Sequence, residues 1–348
     1  MDLVERFPAN PLLSPRDVPP SRPGWVVECL LNPGAFRFGG RTCLLMRVAE
    51  RPVQEEGWLS TPVVDETTPD GTRVLRFRKD DPKLAYNDPR VFHYDGAMYL
   101  TTLSHLRLAT SDDGVKFRCD GKPLLEGRGP LETFGIEDCR VTQIGADYHL
   151  TYTAVSADGH GVSLKSTRDW KGFEDHGMVL PPPNKDCTLF DSKVGGNYAC
   201  LHRPSPSGLG GSFIWYAESP DLVHWGGHRC VARPRPGMWD SSRIGAGAAP
   251  IKTGRGWLCL YHGADGKNRY CLGAMLLDLA EPWKVLARSV EPFMEPVTDY
   301  ERKGFFGEVV FTNGHVVDGE TVTIYFGASD TVICGCRTSV PQILSTLA

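Results

Sequence analysis

The chain has 348 residues, of which 41% are hydrophobic and 23% are charged, and its formal net charge is −4. This balance predicts a globular protein and excludes a nucleic-acid-binding role, because proteins that bind phosphate backbones present a strongly basic face. No apolar run approaches about 18 residues, so the sequence predicts no segment that spans a membrane. The N-terminus carries acids where a secretory signal begins with basic residues, and this predicts a cytoplasmic protein.

Residue usage favours a fold of many short strands. The chain contains 38 glycines, 27 prolines and 10% aromatic residues, which is typical of strands joined by tight turns. Its eleven cysteines are scattered and include no Cys-x-x-Cys pair. We therefore expect buried free thiols in a reducing compartment, and no metal site.

Residues 1–24 come first along the chain and contain six prolines. They predict an extended arm, which could reach a neighbouring subunit and so support a homo-oligomer. From Trp25 the pattern becomes that of β-strands. We expect residues 25–348 to form a single domain.

A strand–turn–strand phrase recurs along this domain. Its first copy runs from Cys29 through a turn at Gly39 and Gly40 to Val48. Further copies lie at residues 88–104, 138–154, 188–204, 247–263 and 309–327. Repeated units of short strands predict a β-propeller, in which the first strand of each blade lines the central channel. Six phrases need not make six blades, because the two chain ends often share one blade.

A second phrase follows three of these copies. It is a turn of the Ser-x-Asp type that closes on an aromatic residue, at residues 110–117, 166–173 and 218–225. Such a turn is expected where the third strand of a blade leads into the fourth.

The charged residues inside the phrases are candidates for chemistry, because inner-strand starts converge on the propeller axis. They are Asp88, Arg90, Glu137, Asp138, Arg140, Lys185, Asp186, Arg203, Asp240, Arg243, His262 and Asp330. Glycoside hydrolysis would use two carboxylates from this set. Phosphorolysis would use one acid together with cationic donors that hold phosphate, the attacking anion. The cluster of arginines favours phosphorolysis, since a planar guanidinium suits bidentate phosphate binding.

Each candidate also has a structural interpretation. Asp88 and Arg90 could cap a turn and tie blades together, Arg203 could form a salt bridge between blades, and His262 could be a satisfied core histidine. The glycines at 245 and 247 form a backbone that a ligand could approach closely. No helix follows them, so they are a weak phosphate signal.

Several motifs together resemble a known family. They lie at residues 135–140, 185–190, 201–204, 243–247, 256–263 and 325–330. In this order they resemble the β-mannoside phosphorylases of glycoside hydrolase family 130. The resemblance implies an all-β, five-bladed β-propeller that cleaves β-mannosides with inorganic phosphate, inverts the anomeric centre and releases α-mannose 1-phosphate. It implies a small carbohydrate and phosphate as partners, with no metal or other cofactor.

The resemblance also implies roles for individual positions. Asp138 matches the general acid, which in this family is thought to act through a sugar hydroxyl that relays the proton. The expected phosphate-binding residues are Arg203, Arg243, His262 and Lys185. The expected substrate-binding residues are Asn32, Arg47, Asp88, Glu137, Arg140 and Asp330.

The chain departs from the family pattern at three positions. Cys139 and Asp191 stand where proline is usual, and Arg243 stands where lysine is common. Some family members are hydrolases that have lost phosphate ligands. An inverting β-mannosidase and a non-catalytic sugar-binding propeller therefore stay open, as do the linkage and the acceptor sugar.

Overall fold

Five antiparallel sheets contain most of the strands in the structure, a computed structural model that describes residues 2–206 and 208–347. Each sheet is one blade of a propeller, so the all-β, five-bladed architecture expected from the sequence is confirmed. Within the described ranges, the structure contains no helix long and apolar enough to cross a membrane.

The N-terminal arm packs against the propeller. It contains strand β1 (Glu5–Arg6) and a 3-10 turn at Pro15–Asp17. Its side chains Phe7, Leu13 and Val18 are buried in a hydrophobic cluster with residues of the first and last blades. The arm is therefore part of the folded core.

Blade 1 begins at Trp25, where the sequence pattern first becomes that of β-strands. Strands β2 (Trp25–Phe38) and β3 (Arg41–Pro52) form a long hairpin. Its turn is at Gly39 and Gly40, whose φ angles of 57° and 77° are tolerated because glycine has no Cβ.

An insertion interrupts blade 1 before its outer strands. It consists of a hairpin and a separate three-stranded sheet, formed by β4 (Trp58–Val64), β5 (Thr72–Arg78), β6 (Leu84–Asp88), β7 (Val91–Tyr94) and β8 (Ala97–Leu100). The blade is then completed by β9 (Leu103–Ser111) and β10 (Arg118–Cys119).

The interpretation of residues 88–104 as a blade phrase is wrong. Those residues lie mainly in the insertion, where β7 and β8 are four residues long and Met98 is 53% exposed. Strands so short and exposed cannot be sandwiched between two neighbouring blades. The other five phrases each supply the inner strands of one blade.

Blades 2 and 3 have the expected up-and-down order. Blade 2 contains β11 (Ile136–Ile144), β12 (Asp147–Ser156), β13 (Gly159–Thr167) and β14 (Glu174–Leu180), preceded by a 3-10 turn at Pro130–Glu132. Blade 3 contains β15 (Asn184–Leu189), β16 (Tyr198–Pro204), β17 (Ile214–Ser219) and β18 (Gly226–Ala232). The predicted Ser-x-Asp turns lie between the third and fourth strands of blades 1 to 3.

Blades 4 and 5 complete the ring. Blade 4 contains β19 (Arg243–Ala246), β20 (Ile251–Thr253), β21 (Gly256–Ala264), β22 (Tyr270–Leu277) and β23 (Val285–Arg288). After helix α1 (Asp299–Arg302), blade 5 contains β24 (Val310–Asp318), β25 (Thr321–Ala328) and β26 (Val332–Ser339), followed by helix α2 (Val340–Leu344). Strand β1 pairs with β26, so the two ends of the chain share one blade.

The hydrophobic core lies between the blades. Phe190, Tyr216 and Trp257 belong to one cluster between blades 3 and 4, and Trp257 is 1% exposed. All eleven cysteines are free, and only Cys119 and Cys230 are not buried.

β-Bulges in the inner strands direct polar side chains toward the propeller axis. The pairing register shifts between Leu31 and Gly34, between Glu137 and Arg140, and between Lys185 and Thr188. Inside these bulges Asn32, Asp138 and Asp186 have φ angles of 30°, 49° and 52°. Asn and Asp tolerate this left-handed region better than most residues do. A bulge re-aims the side chain of its extra residue, so one polar group from each of three blades turns toward the axis.

Candidate active site

A cavity of about 260 Å³ opens at the axis between the inner strands. It brings together seven of the eleven residues to which the resemblance gives a role: Asn32, Arg47, Glu137, Asp138, Lys185, Arg203 and Asp330. These side chains come from four blades, so the convergence depends on the closed ring.

Asp138 lies on one wall and is held by two donors. Its Oδ1 accepts hydrogen bonds of 3.2 Å from Nδ2 of Asn32 and 3.2 Å from Nη1 of Arg47. The same guanidinium donates to Oε1 of Glu137 at 2.6 Å and to the hydroxyl of Ser104 at 3.0 Å. Arg47 thus fixes both neighbouring carboxylates.

The charge of Asp138 is set by its neighbours. Burial alone would raise its pKa, but Arg47, Arg140 and Lys185 outweigh that effect and lower the pKa below the usual value. Burial would lower the pKa of Arg47, but Glu137 and Asp138 raise it. Asp138 is therefore a carboxylate near neutral pH.

Asp186 gathers three donors at the opposite wall. Its Oδ1 accepts from Nη2 of Arg140 at 3.1 Å, while its Oδ2 accepts from Nη1 of Arg203 at 2.8 Å and lies 3.0 Å from Nε2 of His262. Burial disfavours its charge, but Arg203 and Arg140 hold its pKa well below the usual value. Asp186 is 1% exposed, so this charge is fixed.

His262 lies behind the cavity wall. It is fully buried and stacks on Phe311, with 4.0 Å between the ring centroids. Burial lowers its pKa to about 4, so the ring is neutral, and its Nε2 lies 3.0 Å from Oδ2 of Asp186 and 3.3 Å from Nη1 of Arg203. In this position His262 supports Asp186 and does not reach the cavity.

Arg140 lies behind the cavity lining. Its guanidinium donates to the carbonyls of Asp138 at 2.9 Å and Ala246 at 3.1 Å and to Oδ1 of Asp186 at 3.1 Å. It is 1% exposed. Arg140 therefore ties together the inner strands of blades 2, 3 and 4 and does not line the cavity that it supports.

Lys185 and Arg203 face the cavity from neighbouring positions. They are paired residues on β15 and β16. Burial and the adjacent Arg203 lower the pKa of Lys185. Two cations at this wall, only partly compensated by Asp186, make a favourable site for an oxyanion.

Asp330 enters from the turn after β25. Ser329 and Asp330 have φ angles of 47° and 48°, which places the carboxyl group against the cavity. Burial raises its pKa to about 6, opposed by Arg47 and reinforced by Asp138. Asp330 therefore titrates closer to neutral pH than a typical aspartate.

Besides His262 and Arg140, two more predicted residues, Arg243 and Asp88, lie outside the cavity lining. Arg243 donates to Oδ1 of Asn268, and its guanidinium lies 5.5 Å from the ring centroid of Tyr270, so Tyr270 separates it from the cavity. Asp88 lies in the insertion and binds Arg90 at 2.7 Å. It is Arg90, and not Asp88, that lines the cavity.

Several cavity residues received no specific role from the sequence. Arg90 and Asp186 were among the charged candidates of the repeated phrases, and both line the cavity. Arg90 stacks on Phe306 with 4.0 Å from guanidinium to ring centroid. Tyr270, Phe305 and Phe306 also line the cavity, but a lone aromatic residue in a strand or loop gives no signal of its own.

The cavity is suited to an organic anion or sugar. In the described ranges, no group of three or more His, Cys, Asp or Glu side chains is arranged to hold a metal ion. Carboxylates at one wall and cations at the other suit a neutral polyol beside an oxyanion.

Comparisons with known proteins identify mannoside phosphorylases as relatives of this chain. The sequence profile described as β-1,4-mannooligosaccharide phosphorylase, glycoside hydrolase family 130, matches residues 89–348. A β-1,2-mannobiose phosphorylase of Listeria innocua is 44% identical, covering 99% of this chain and 98% of that protein. A 1,2-β-oligomannan phosphorylase of Thermoanaerobacter sp. is 40% identical over 68% of this chain and 79% of its own length. The solved Listeria innocua β-1,2-mannobiose phosphorylase, in complex with β-1,2-mannobiose, superposes with a TM-score of 0.95 at 43% identity, covering 99% of this chain and 98% of that one.

Proposed function

The chain belongs to the β-mannoside phosphorylases of glycoside hydrolase family 130, and from this premise we propose that its substrate is a β-1,2-linked mannoside. Phosphate cleaves the linkage and α-mannose 1-phosphate is released. The observation that carries the proposal is the pair of facing walls, with Asp138 on one side and Lys185 with Arg203 on the other.

The two walls divide the reaction between them. Lys185 and Arg203 hold phosphate, which is already an anion and needs no protein base. One phosphate oxygen bonds to the anomeric carbon from the face opposite the glycosidic oxygen, and the glycosidic bond breaks with its electron pair on that oxygen. The leaving oxygen takes a proton that originates at Asp138, directly or through a sugar hydroxyl. Attack from the opposite face gives the α-configured product.

Phosphate binding prepares Asp138 to act as an acid. Arg47, Arg140 and Lys185 keep Asp138 ionised despite its burial. Phosphate brings negative charge next to Lys185, and a like charge nearby favours the protonated form of a carboxyl group. Phosphate binding therefore raises the pKa of Asp138 in the direction that acid catalysis requires.

The linkage is inferred from the relatives. The Listeria innocua relative, which matches almost the full chain, is a β-1,2-mannobiose phosphorylase, and the Thermoanaerobacter relative is a 1,2-β-oligomannan phosphorylase. We also propose a cytoplasmic enzyme without a metal, supported by eleven free cysteines, which a reducing compartment preserves.

Synthesis in reverse tests the proposal. The protein is incubated with α-mannose 1-phosphate and a panel of acceptors, and phosphate release is followed. We expect release that depends on acceptor and is fastest with mannose, with a β-1,2-linked product identified by NMR. A faster reaction with glucose or N-acetylglucosamine would contradict the linkage. Mannose release from β-mannosides without phosphate would show a hydrolase, and binding without turnover would show a sugar-binding propeller.

A further inference from the structure

Asp186 places a negative charge in the wall of a site that is to bind an anion. Its carboxylate borders the cavity beside Lys185 and Arg203. It also occupies Nη1 of Arg203 at 2.8 Å. An incoming oxyanion must share this guanidinium with a carboxylate that is already bound to it.

The contacts of Asp186 hold its carboxylate in one orientation. Arg140, Arg203 and the neutral His262 all point at Asp186 from different blades, so the carboxylate cannot turn away when phosphate arrives. The carboxylate is charged and nearly inaccessible to solvent. Solvent therefore screens its repulsion of a second anion poorly.

We propose that Asp186 is a fixed counter-charge that weakens oxyanion binding at Lys185 and Arg203, so that phosphate and the sugar phosphate can leave. This inference rests on the proposed function and deepens it, because it assigns a residue that sets phosphate affinity. A tighter site would hold phosphate well but would release the sugar phosphate slowly.

The alternative role for Asp186 is structural, and it predicts the opposite sign. If Asp186 only holds Arg203 and His262 in place, Asp186→Asn should loosen them and weaken anion binding. If it is a counter-charge, removal of its charge should strengthen anion binding. The direction of the change therefore decides between the roles.

The chain offers a matched control in Asp240. This carboxylate is fully buried and is likewise bound by two arginines and a third donor, with Arg235 at 2.8 Å, Arg288 at 2.5 Å and Tyr261 at 2.8 Å. It lies in the loop between β18 and β19, outside the cavity lining. Asp240→Asn thus reproduces the loss of a buried, arginine-bound charge without changing the proposed anion site.

The experiment is calorimetric titration with inorganic phosphate and, separately, with sulfate, on the wild type and both variants. Neither titration requires turnover. We expect Asp186→Asn to bind both anions about tenfold more tightly or better, since a unit charge a few ångströms away is worth at least that much. Asp240→Asn should match the wild type. Unchanged or weaker binding by Asp186→Asn, or equal tightening by Asp240→Asn, would overturn the inference.

A second variant covers the case in which Asp186→Asn does not fold. Arg140→Gln removes a cation that partly neutralises Asp186 from outside the cavity lining, and it should weaken binding of both anions about tenfold. Unchanged affinity would overturn the inference. The proposed function is judged separately, by wild-type formation of mannose 1-phosphate from a β-mannoside and phosphate.

Discussion

Gly245 leaves room for Asp186 and His262 behind the proposed phosphate site, and substitution by alanine should displace both side chains. A Cβ at this position would lie inside 3.0 Å of Oδ2 of Asp186 and 2.7 Å from Cε1 of His262. Both side chains are buried and hydrogen-bonded to each other. The backbone φ of Gly245 is not in the left-handed region, so the effect of alanine is purely steric.

The size of the effect follows from these distances. An ordinary contact requires at least 3.4 Å. The nearest atom of the His262 ring is Nε2, which lies closer than Cε1, so the ring and the Asp186 carboxylate must each retreat by more than about 0.7 Å. Overpacking of this kind costs about 1–3 kcal/mol of stability. A displacement near 1 Å in a catalytic group can cost about 100-fold in rate. We therefore expect kcat/KM for phosphate to fall about 10- to 100-fold.

Gly263→Ala is the control for this prediction. Its Cβ would lie 2.5 Å from Cβ of Asp240 and 2.6 Å from Cζ3 of Trp239, which is comparable crowding on the neighbouring strand. Mannose 1-phosphate formation would be measured at limiting phosphate, and stability by urea unfolding. We expect similar losses of stability in both variants but loss of activity only in Gly245→Ala. Equal activity in the two variants would refute the placement of Asp186 and His262 behind the phosphate site.

Three further predictions concern other parts of the molecule. Asp138→Asn should lower the rate of mannose 1-phosphate formation about 10²- to 10⁴-fold, the usual range for a general acid, and a nearly normal rate would contradict its assignment. Burial raises the pKa of Asp330 from 3.8 to about 6, so the folded protein holds this proton more tightly than the unfolded chain does. The stability that this proton contributes is therefore complete below about pH 4 and is lost as pH rises through about 6. Thermal unfolding measured across this pH range should show that loss in the wild type but not in Asp330→Asn. The same dependence of melting temperature on pH in both proteins would contradict the prediction. Phe7→Ala should cost about 3–5 kcal/mol in urea unfolding, because the ring is buried, whereas a cost below about 1 kcal/mol would show that the arm is dispensable.

The local chemistry of turns and inner strands could be predicted from the sequence. Gly39 and Gly40 mark the first hairpin because glycine adopts their positive φ angles without steric cost, and this feature depends on residues close together in the chain. The sharing of one blade by the chain ends joins distant residues, but it follows from the need to remove open sheet edges.

The false blade at residues 88–104 shows where such reasoning fails. Asp88 and Arg90 precede a strand pair much as Asp138 and Arg140 do. The difference lies in what packs on the strands, since β11 is buried along most of its length while β7 and β8 are partly exposed. This difference depends on which parts of the fold pack against each strand, and the repeated sequence motif does not show that packing.

The sequence identified most residues of the candidate site but not which of them contact each other. Asp186 and His262 are 76 residues apart, and Asp186 and Arg140 are 46 apart. Sequence spacing could not show that one carboxylate collects all these donors. The small residue at 245 was interpreted as room for a ligand, but its space is taken by Asp186 and His262. The roles assigned to Arg243 and Asp88 stay predictions, now with both residues outside the cavity lining.

The depth of the cavity constrains the kinetics of the reaction. Arg140 is 1% exposed behind the cavity lining, whereas Arg90 lines the cavity with a side chain that is 43% exposed. The side chain of Arg203 is 8% exposed, so the proposed phosphate site lies deeper than Arg90. Phosphate should therefore enter before the mannoside, and the shortened sugar should leave before mannose 1-phosphate.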